Sequence, residues 1–369
     1  MPREIFNLLK IFICSVVSLP AIAAPIDPTP NVVSGEVQFS GLSTSEAIIT
    51  QESVRAIVDY DQFDVLSGDM VRFIQPSEQA AILNRITGNV PSLINGTINA
   101  NGQVFFVNPA GVTFGENSVV RADLFLAAAG DISNEDFLND NLEFKLNGVI
   151  ENLGLLESDS GTFLLGKQIL NSGKVGSDKG VSVLASGDEV FLKNHGSSLM
   201  LRVSDDLAEP KKDGIGINNL GKVDGEEVMF SAGDAFADAI YHQGTASADK
   251  SVKLHSDGGN IKVSGKIEAS SDDGGGRIEI GGTDRGAGTV PRAANVSIFD
   301  AAVLDASARS GGDGGDVVIW SDGHTEMFGS IFAEGENGGF AEVSGNTYDF
   351  GVSAWRIYLG QGGRFLLDP

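Results

Sequence analysis

Cysteine is almost missing from this chain: Cys14 is the only one in 369 residues. With no second thiol, no disulfide forms within the chain, and zinc sites built on several cysteines are excluded. Histidine is scarce too. His195, His242, His255 and His324 are scattered and show none of the short spacings of a metal site. Positive charge is outnumbered: 25 Lys and Arg stand against 50 Asp and Glu, a formal net charge of −25. Nucleic acid and anionic membranes are poor partners for such a chain. The isolated pair Lys211-Lys212 reads as a loop and not as a basic patch. Near the N-terminus an apolar run covers residues 11–19, too short for a stable membrane span.

That run has another meaning. Arg3 and Lys10 precede it and Ala21-Ile22-Ala23 follows it. Charged, apolar and small-residue segments in that order predict a secretory signal cleaved after Ala23. Cys14 lies inside it, so the mature chain is expected to have no cysteine. Such a chain can stay extended while it crosses a barrier; equally, a large β core needs no staples.

Glycine, in contrast, is plentiful at 48 residues. It recurs beside Asn in turn dipeptides between short β-rich runs, which is an all-β signature. Residues 92–115 show the grammar. Asn95-Gly96 and Asn101-Gly102 are turns, residues 103–107 a strand, and Asn108-Pro109-Ala110-Gly111 has turn chemistry at every position.

The grammar repeats. Asn152, Asn171 and Asn219 each stand two residues before a glycine, and a Gly-led strand follows each copy. The third copy is delayed by residues 191–213, an extruded hairpin or loop, and residues 131–141 read as an inserted polar loop. Residues 124–129 read as a buried strand or short helix, and residues 77–83 as a turn leading into a strand. Of the 48 glycines, 24 lie in the last 112 residues, where the Gly-Gly-led strand at Gly314 returns 24 residues later at Gly338. Periods of roughly 20 residues with two or three short strands each predict a β-solenoid. Its coils stack at ~4.8 Å, so each backbone donor finds its partner in the next coil. Ile98, Val104, Phe106, Val112 and Phe114 are expected to point inward, under an acidic outer surface. The competing fold, an antiparallel sandwich, has no use for the Asn-x-Gly echoes.

Those residues carry a resemblance. The chain resembles the N-terminal part of a filamentous-haemagglutinin-type exoprotein of two-partner secretion. Residues 101–115 are the most specific run, and residues 56–65, 71–77, 83–88, 132–138, 318–323 and 339–345 also match. Ala110 and Val112 stand where the family has Asn and Ile in Asn-Pro-Asn-Gly-Ile, and Asn-Pro-Asn-Leu is absent. Pro109 and Gly111 keep the turn. The resemblance implies an all-β fold, a right-handed parallel β-helix (a single-stranded β-solenoid) with extruded hairpins and loops. It implies Sec export and recognition by an outer-membrane barrel transporter with periplasmic POTRA domains. Folding would follow outside the cell, giving a secreted, surface-exposed adhesin that meets a host-cell receptor or glycan.

The expected plan is a signal peptide over residues 1–23, cleaved at Ala21-Ile22-Ala23, a secretion domain over 24–270, and continuing Gly-rich coils over 271–369, where Leu366-Leu367-Asp368-Pro369 resembles the point at which such proteins go on into long repeats. Asn108, Pro109, Ala110, Gly111 and Val112 form the candidate secretion motif. Two roles fit it: direct contact with the transporter, or building a corner that folding needs. Residues 70–115 are the candidates for strand addition to the transporter while the chain is unfolded.

Other motifs read as structure. Residues 311–319 match one calcium-binding nonapeptide with Asp316 as ligand, but shared calcium needs tandem copies, and a plain glycine corner is expected. Asp205-Asp206 and Asp272-Asp273 sit in polar loops, poor places to raise a catalytic pKa by burial. Gly282, Gly286 and Gly288 lack the Lys-Ser/Thr of a phosphate loop. No catalytic residue, metal or cofactor is expected. The alternatives are a β-helical polysaccharide-active enzyme, on fold analogy, and the delivery part of a contact-dependent toxin.

Overall fold

The computed structural model describes residues 26–195, 198–204, 212–233, 235–351 and 356–368. The signal segment with Ala21 and Ala23, and Asp205, Asp206 and Lys211, lie outside the described residues. From Arg55 onward the chain winds as a parallel β-helix with three faces. One coil shows the plan: Ala81–Ile86 lies on the first face, Ser92–Ile94 on the second and Thr97–Ala100 on the third. Gln103–Val107 then returns to the first face, parallel to Ala81–Ile86 and in register from Ala81↔Gln103. The last coils keep a strict step: Ile319 pairs with Val343, and Val343 with Leu367.

The interior is a set of columns. Val120 pairs with Leu156, Leu156 with Val175, and Val175 with Val223; all four are fully buried. A strand alternates its side chains, so each coil offers the core every second residue and cannot bury them without neighbours. Ile98, Val104, Phe106, Val112 and Phe114 all point into this core.

The N-terminal end is closed by antiparallel strands. Asn31–Ser34 pairs with Arg55–Tyr60, and Val37–Ser40 pairs with Glu46–Gln51. This cap pairs an edge that would otherwise offer free backbone groups. Beneath it, Phe39, Tyr60, Phe63 and Phe106 form a chain of edge-to-face rings 5.0–6.5 Å apart.

The outer surface departs from the acidic expectation. In the early coils the outward side of the first face is apolar: Leu83, Phe105, Val107, Leu126 and Leu165 belong to a second buried cluster. An antiparallel sheet of Gly130–Asp131, Leu142–Leu146, Glu189–His195 and Ser198–Ser204 covers it. The delayed segment after residue 191 supplies its hairpin. The polar insertion supplies a short helix, Asn134–Leu138, where only a loop was expected; Ser133 caps it by accepting from the Asp136 amide. Burial on both sides explains the unbroken apolar runs Val104 to Val107 and Leu124 to Ala128. The second run is strand, within Val119–Ala128, and residues 81–86 are strand as expected.

Candidate functional site

Asn108 to Val112 forms the corner between the first and second faces. Asn108 follows the strand Gln103–Val107 and is fully buried. Its side-chain Nδ2 donates to Val90 O and Ser92 Oγ, both at 3.0 Å, and its Oδ1 accepts from the Ala110 amide at 2.9 Å. The Gly111 amide donates to Asn108 O at 3.0 Å. The side chain thus braces its own turn and ties it to the previous coil, while the Asn108 amide donates to Ala128 O of the next coil at 3.0 Å. Gly111 takes φ +116, and a Cβ there would lie 2.9 Å from Val149 O, so the position accepts only glycine. Val112 points inward and pairs with both Ser92 and Ile150. Pro109 and Ala110 stay partly exposed. Of the five motif residues these two alone present side chains outward; Asn108, Gly111 and Val112 are spent on the corner.

The Asn-x-Gly echoes meet at the next corner, between the second and third faces. Asn152 Nδ2 donates to Asn171 Oδ1 at 2.8 Å, and Asn171 Nδ2 donates to Asn219 Oδ1 at 2.6 Å. Asn219 Nδ2 then donates to His242 Nδ1 at 2.9 Å, and His242 Nε2 donates to Lys266 O at 3.0 Å. The donors run in one direction across four coils, and all four side chains are fully buried. The glycines behind these rungs stack so closely that a Cβ on Gly173, Gly221 or Gly244 would fall 2.0–2.2 Å from the carbonyl oxygen of the glycine one coil earlier.

His242 was read as one of four scattered histidines, yet it is the fourth rung. The signal was present: His242-Gln243-Gly244 has the Asn-x-Gly frame with His in the Asn place. Burial holds its pKa down at about 4, with the bond to Lys266 O opposing only in part. An amide N–H aimed at Nδ1 requires that nitrogen to be unprotonated.

The remaining candidates are separate. Asp316, the would-be calcium ligand, is paired with Arg277 at 3.0 Å, and among the described residues no group of three or more His, Cys, Asp or Glu is arranged to hold a metal. Asp272 and Asp273 are exposed in a turn. His324 bonds Thr347 Oγ1 at 2.8 Å, and His255 lies 3.5 Å from Glu279 on the outside of the first face. Gly282 and Gly286 lie against the Trp320 ring. A groove of about 740 Å³ runs along the third face, lined by Glu157, Lys174, Asp224 and Arg309. Lys174 sits between Glu157 at 2.8 Å and Asp224 at 3.5 Å. No described helix is long and apolar enough to cross a membrane.

A capped parallel β-helix with a buried corner ladder and an extruded antiparallel sheet defines the class. The family follows from comparison. The model of the TPS secretion domain matches residues 26–263, and the chain belongs to that family: it carries the secretion domain of a two-partner-secretion exoprotein. The secretion domain of HMW1 from Haemophilus influenzae is similar in fold, with a TM-score of 0.68 at 23% identity over 93% of this chain and 100% of that one. A filamentous hemagglutinin secretion domain aligns with a TM-score of 0.44 at 10% identity over 92% of this chain and 100% of that one. Two Haemophilus influenzae relatives, both called heme/hemopexin-binding protein, are 30% identical over 128 residues and, in strain Rd, 25% identical over 215 residues. These matches cover 34% and 55% of this chain but only 14% and 24% of the relatives' length.

Proposed function

We propose that this chain is a non-catalytic exoprotein whose residues 24–270 address it to an outer-membrane transporter through that transporter's POTRA domains. Residues 271–369 continue the same coils, and the protein acts at the cell surface as an adhesin or ligand-binding factor. The family match over residues 26–263 carries the reading. Within it, the strands of residues 70–114 are paired on both sides once folded, Ser92–Ile94 through a single bridge to Val65 on one of them. Strand addition to the transporter therefore belongs to the unfolded, exported chain. The corner Asn108 to Gly111 then acts outside the cell, as a folding element that draws the chain outward. The test is surface display in a strain lacking the partner transporter. Display is expected to vanish while the periplasmic pool rises or is degraded; unchanged display ends the proposal.

Two further outcomes separate this reading from its rivals. An enzyme of polysaccharides would cleave acidic or neutral glycans, and no cleavage is expected: Glu157 and Asp224 in the groove are both tied to Lys174. The names of the two relatives belong to proteins of which this chain matches at most 24%. Haem titrated into this chain alone is expected to give no saturable shift of the Soret band.

A further inference from the structure

The turn from the first face to the second is short in the coil before Arg277–Ile280, three residues between Thr245–Ser256 and Asn260–Val263. In the coil after it, the strand Asp316–Met327 runs straight through the same corner. Between Arg277–Ile280 and Val296–Ile298 the chain spends fifteen residues, 281–295, on it. This loop folds back over the outside of the first face and reaches coils that come later in the chain. Asp284 pairs with Arg277 at 2.7 Å in its own coil. Gly282 and Gly286 lie flat on the indole of Trp320 in the next coil, where a Cβ would come within 2.8 and 2.6 Å of the ring. Arg292 pairs with Asp322 of that coil at 3.0 Å. The Arg285 amide donates to Glu342 Oε1, one coil further on, at 2.9 Å. Behind the loop, Gly258 donates to Arg292 O and Ala294 donates to Gly259 O, each at 3.0 Å. Four successive coils are tied by one segment.

Two features show that the contact is held under load. Arg285 is left-handed at φ 54, one of two described non-glycine residues with positive φ, a conformation that persists only when its surroundings impose it. Glu342 is 1% exposed. Its Oε1 accepts from Arg285 N and from Ser344 Oγ, but its Oε2 has no hydrogen-bond partner among the described residues. A buried carboxylate oxygen without a donor is costly.

We propose that residues 281–295 are a latch that closes last. Trp320 and Glu342 lie downstream of the loop, so it has nothing to dock on until two more coils have stacked. Once docked, it makes those coils open together instead of fraying singly. A chain that folds coil by coil as it emerges gains a checkpoint: the segment locks only when its successors are in place. The inference goes beyond the export reading and does not depend on it.

The chain has two tryptophans, Trp320 and Trp355, so a Trp355→Phe background leaves Trp320 as the reporter. In refolding from denaturant, the Trp320 emission change is expected to lag the far-ultraviolet circular dichroism of the β-helix; coincident phases would overturn the order. Arg285 and Arg292 are exposed within the loop and are tryptic sites. Gly286→Ala, which alters no strand, and Glu342→Ala are each expected to raise cleavage there tenfold or more, with β content kept. Glu342→Gln retains an acceptor for Arg285 and is expected to cleave close to the parent rate. Parent-like cleavage and emission in both alanine variants would reject the latch.

Discussion

Asn171 is the middle rung of the corner ladder, so it is both donor and acceptor inside the core. Asn171→Ala strips a partner from Asn152 and another from Asn219 at once. A buried polar group left alone costs about 1–3 kcal/mol, so a loss of about 2–4 kcal/mol is expected, read as a lower denaturant midpoint. His242 adds a pH dependence whose sign follows from its burial. Its folded pKa, about 4, lies below the ordinary imidazole value of 6.5, so the unfolded chain binds the proton more readily. Its contribution is complete above pH 6.5 and is lost as pH falls towards 4. The window is worth up to about 3 kcal/mol. His242→Asn, which extends the amide ladder, should flatten the stability curve between pH 6.5 and 4. Glu279 opens a second window. Burial raises its pKa, but the neighbouring His255 ring and the bonded Arg277 guanidinium outweigh this and bring it to about 2 from 4.5. Stability from Glu279 is present above pH 4.5 and is lost below it, so acid unfolding should persist in His242→Asn.

Elements differ in how they are secured. The helix Asn134–Leu138 and its sheet are held by two arginines from the first face. Arg55 stacks on Phe137 with its guanidinium 5.0 Å from the ring centre and pairs with Asp140 at 2.6 Å. It also donates to Phe137 O. Arg85 pairs with Asp59 at 2.9 Å and donates to Ile132 O at 3.2 Å. Replacing both with alanine should loosen the cover without unwinding the coils. Hydrogen exchange is expected to quicken in Leu142–Leu146 and dye binding to the exposed second core to rise, while exchange in Lys222–Ala232 stays slow. The corner motif behaves oppositely, because it belongs to the coils. Asn108→Ala leaves Val90 O, Ser92 Oγ and the Ala110 amide short of partners, and should cost about 2–3 kcal/mol. Gly111→Ala should be at least as damaging. Ala110→Asn, which restores the usual family residue on a partly exposed position, should leave stability within about 0.5 kcal/mol. If the motif serves folding, secretion of these three variants should follow their stability; if the transporter reads it, Ala110→Asn should alter secretion alone.

At the scale of the molecule, the described residues form a stack capped at its N-terminal end, with most contacts between adjacent coils. Each coil rests on the one before, so the coils themselves can fold forward from the capped N-terminal end one at a time, while the loop of residues 281–295 waits for two further coils. The absence of cysteine in the expected mature chain suits that route, since nothing has to be oxidised before or after passage. Much of this was legible in the amino-acid order. Coil period, turn chemistry and inward alternation are local properties, and they specified a stacked β fold and placed Ile98, Phe106 and Phe114 in its core. The echo at Asn152, Asn171 and Asn219 was visible too. Its meaning as a chain of amide bonds was not, because that depends on register between residues 19 and 48 apart. The same limit hid His242, whose scattered position in the sequence becomes the end of a column in space. It hid the second core, since Phe105 and Leu126 look alike whether they face inward or outward until a sheet lies over them. And it hid the latch: Gly282 and Gly286 are a loop composition in one dimension, while Trp320 and Glu342 come opposite them only after two further coils have stacked.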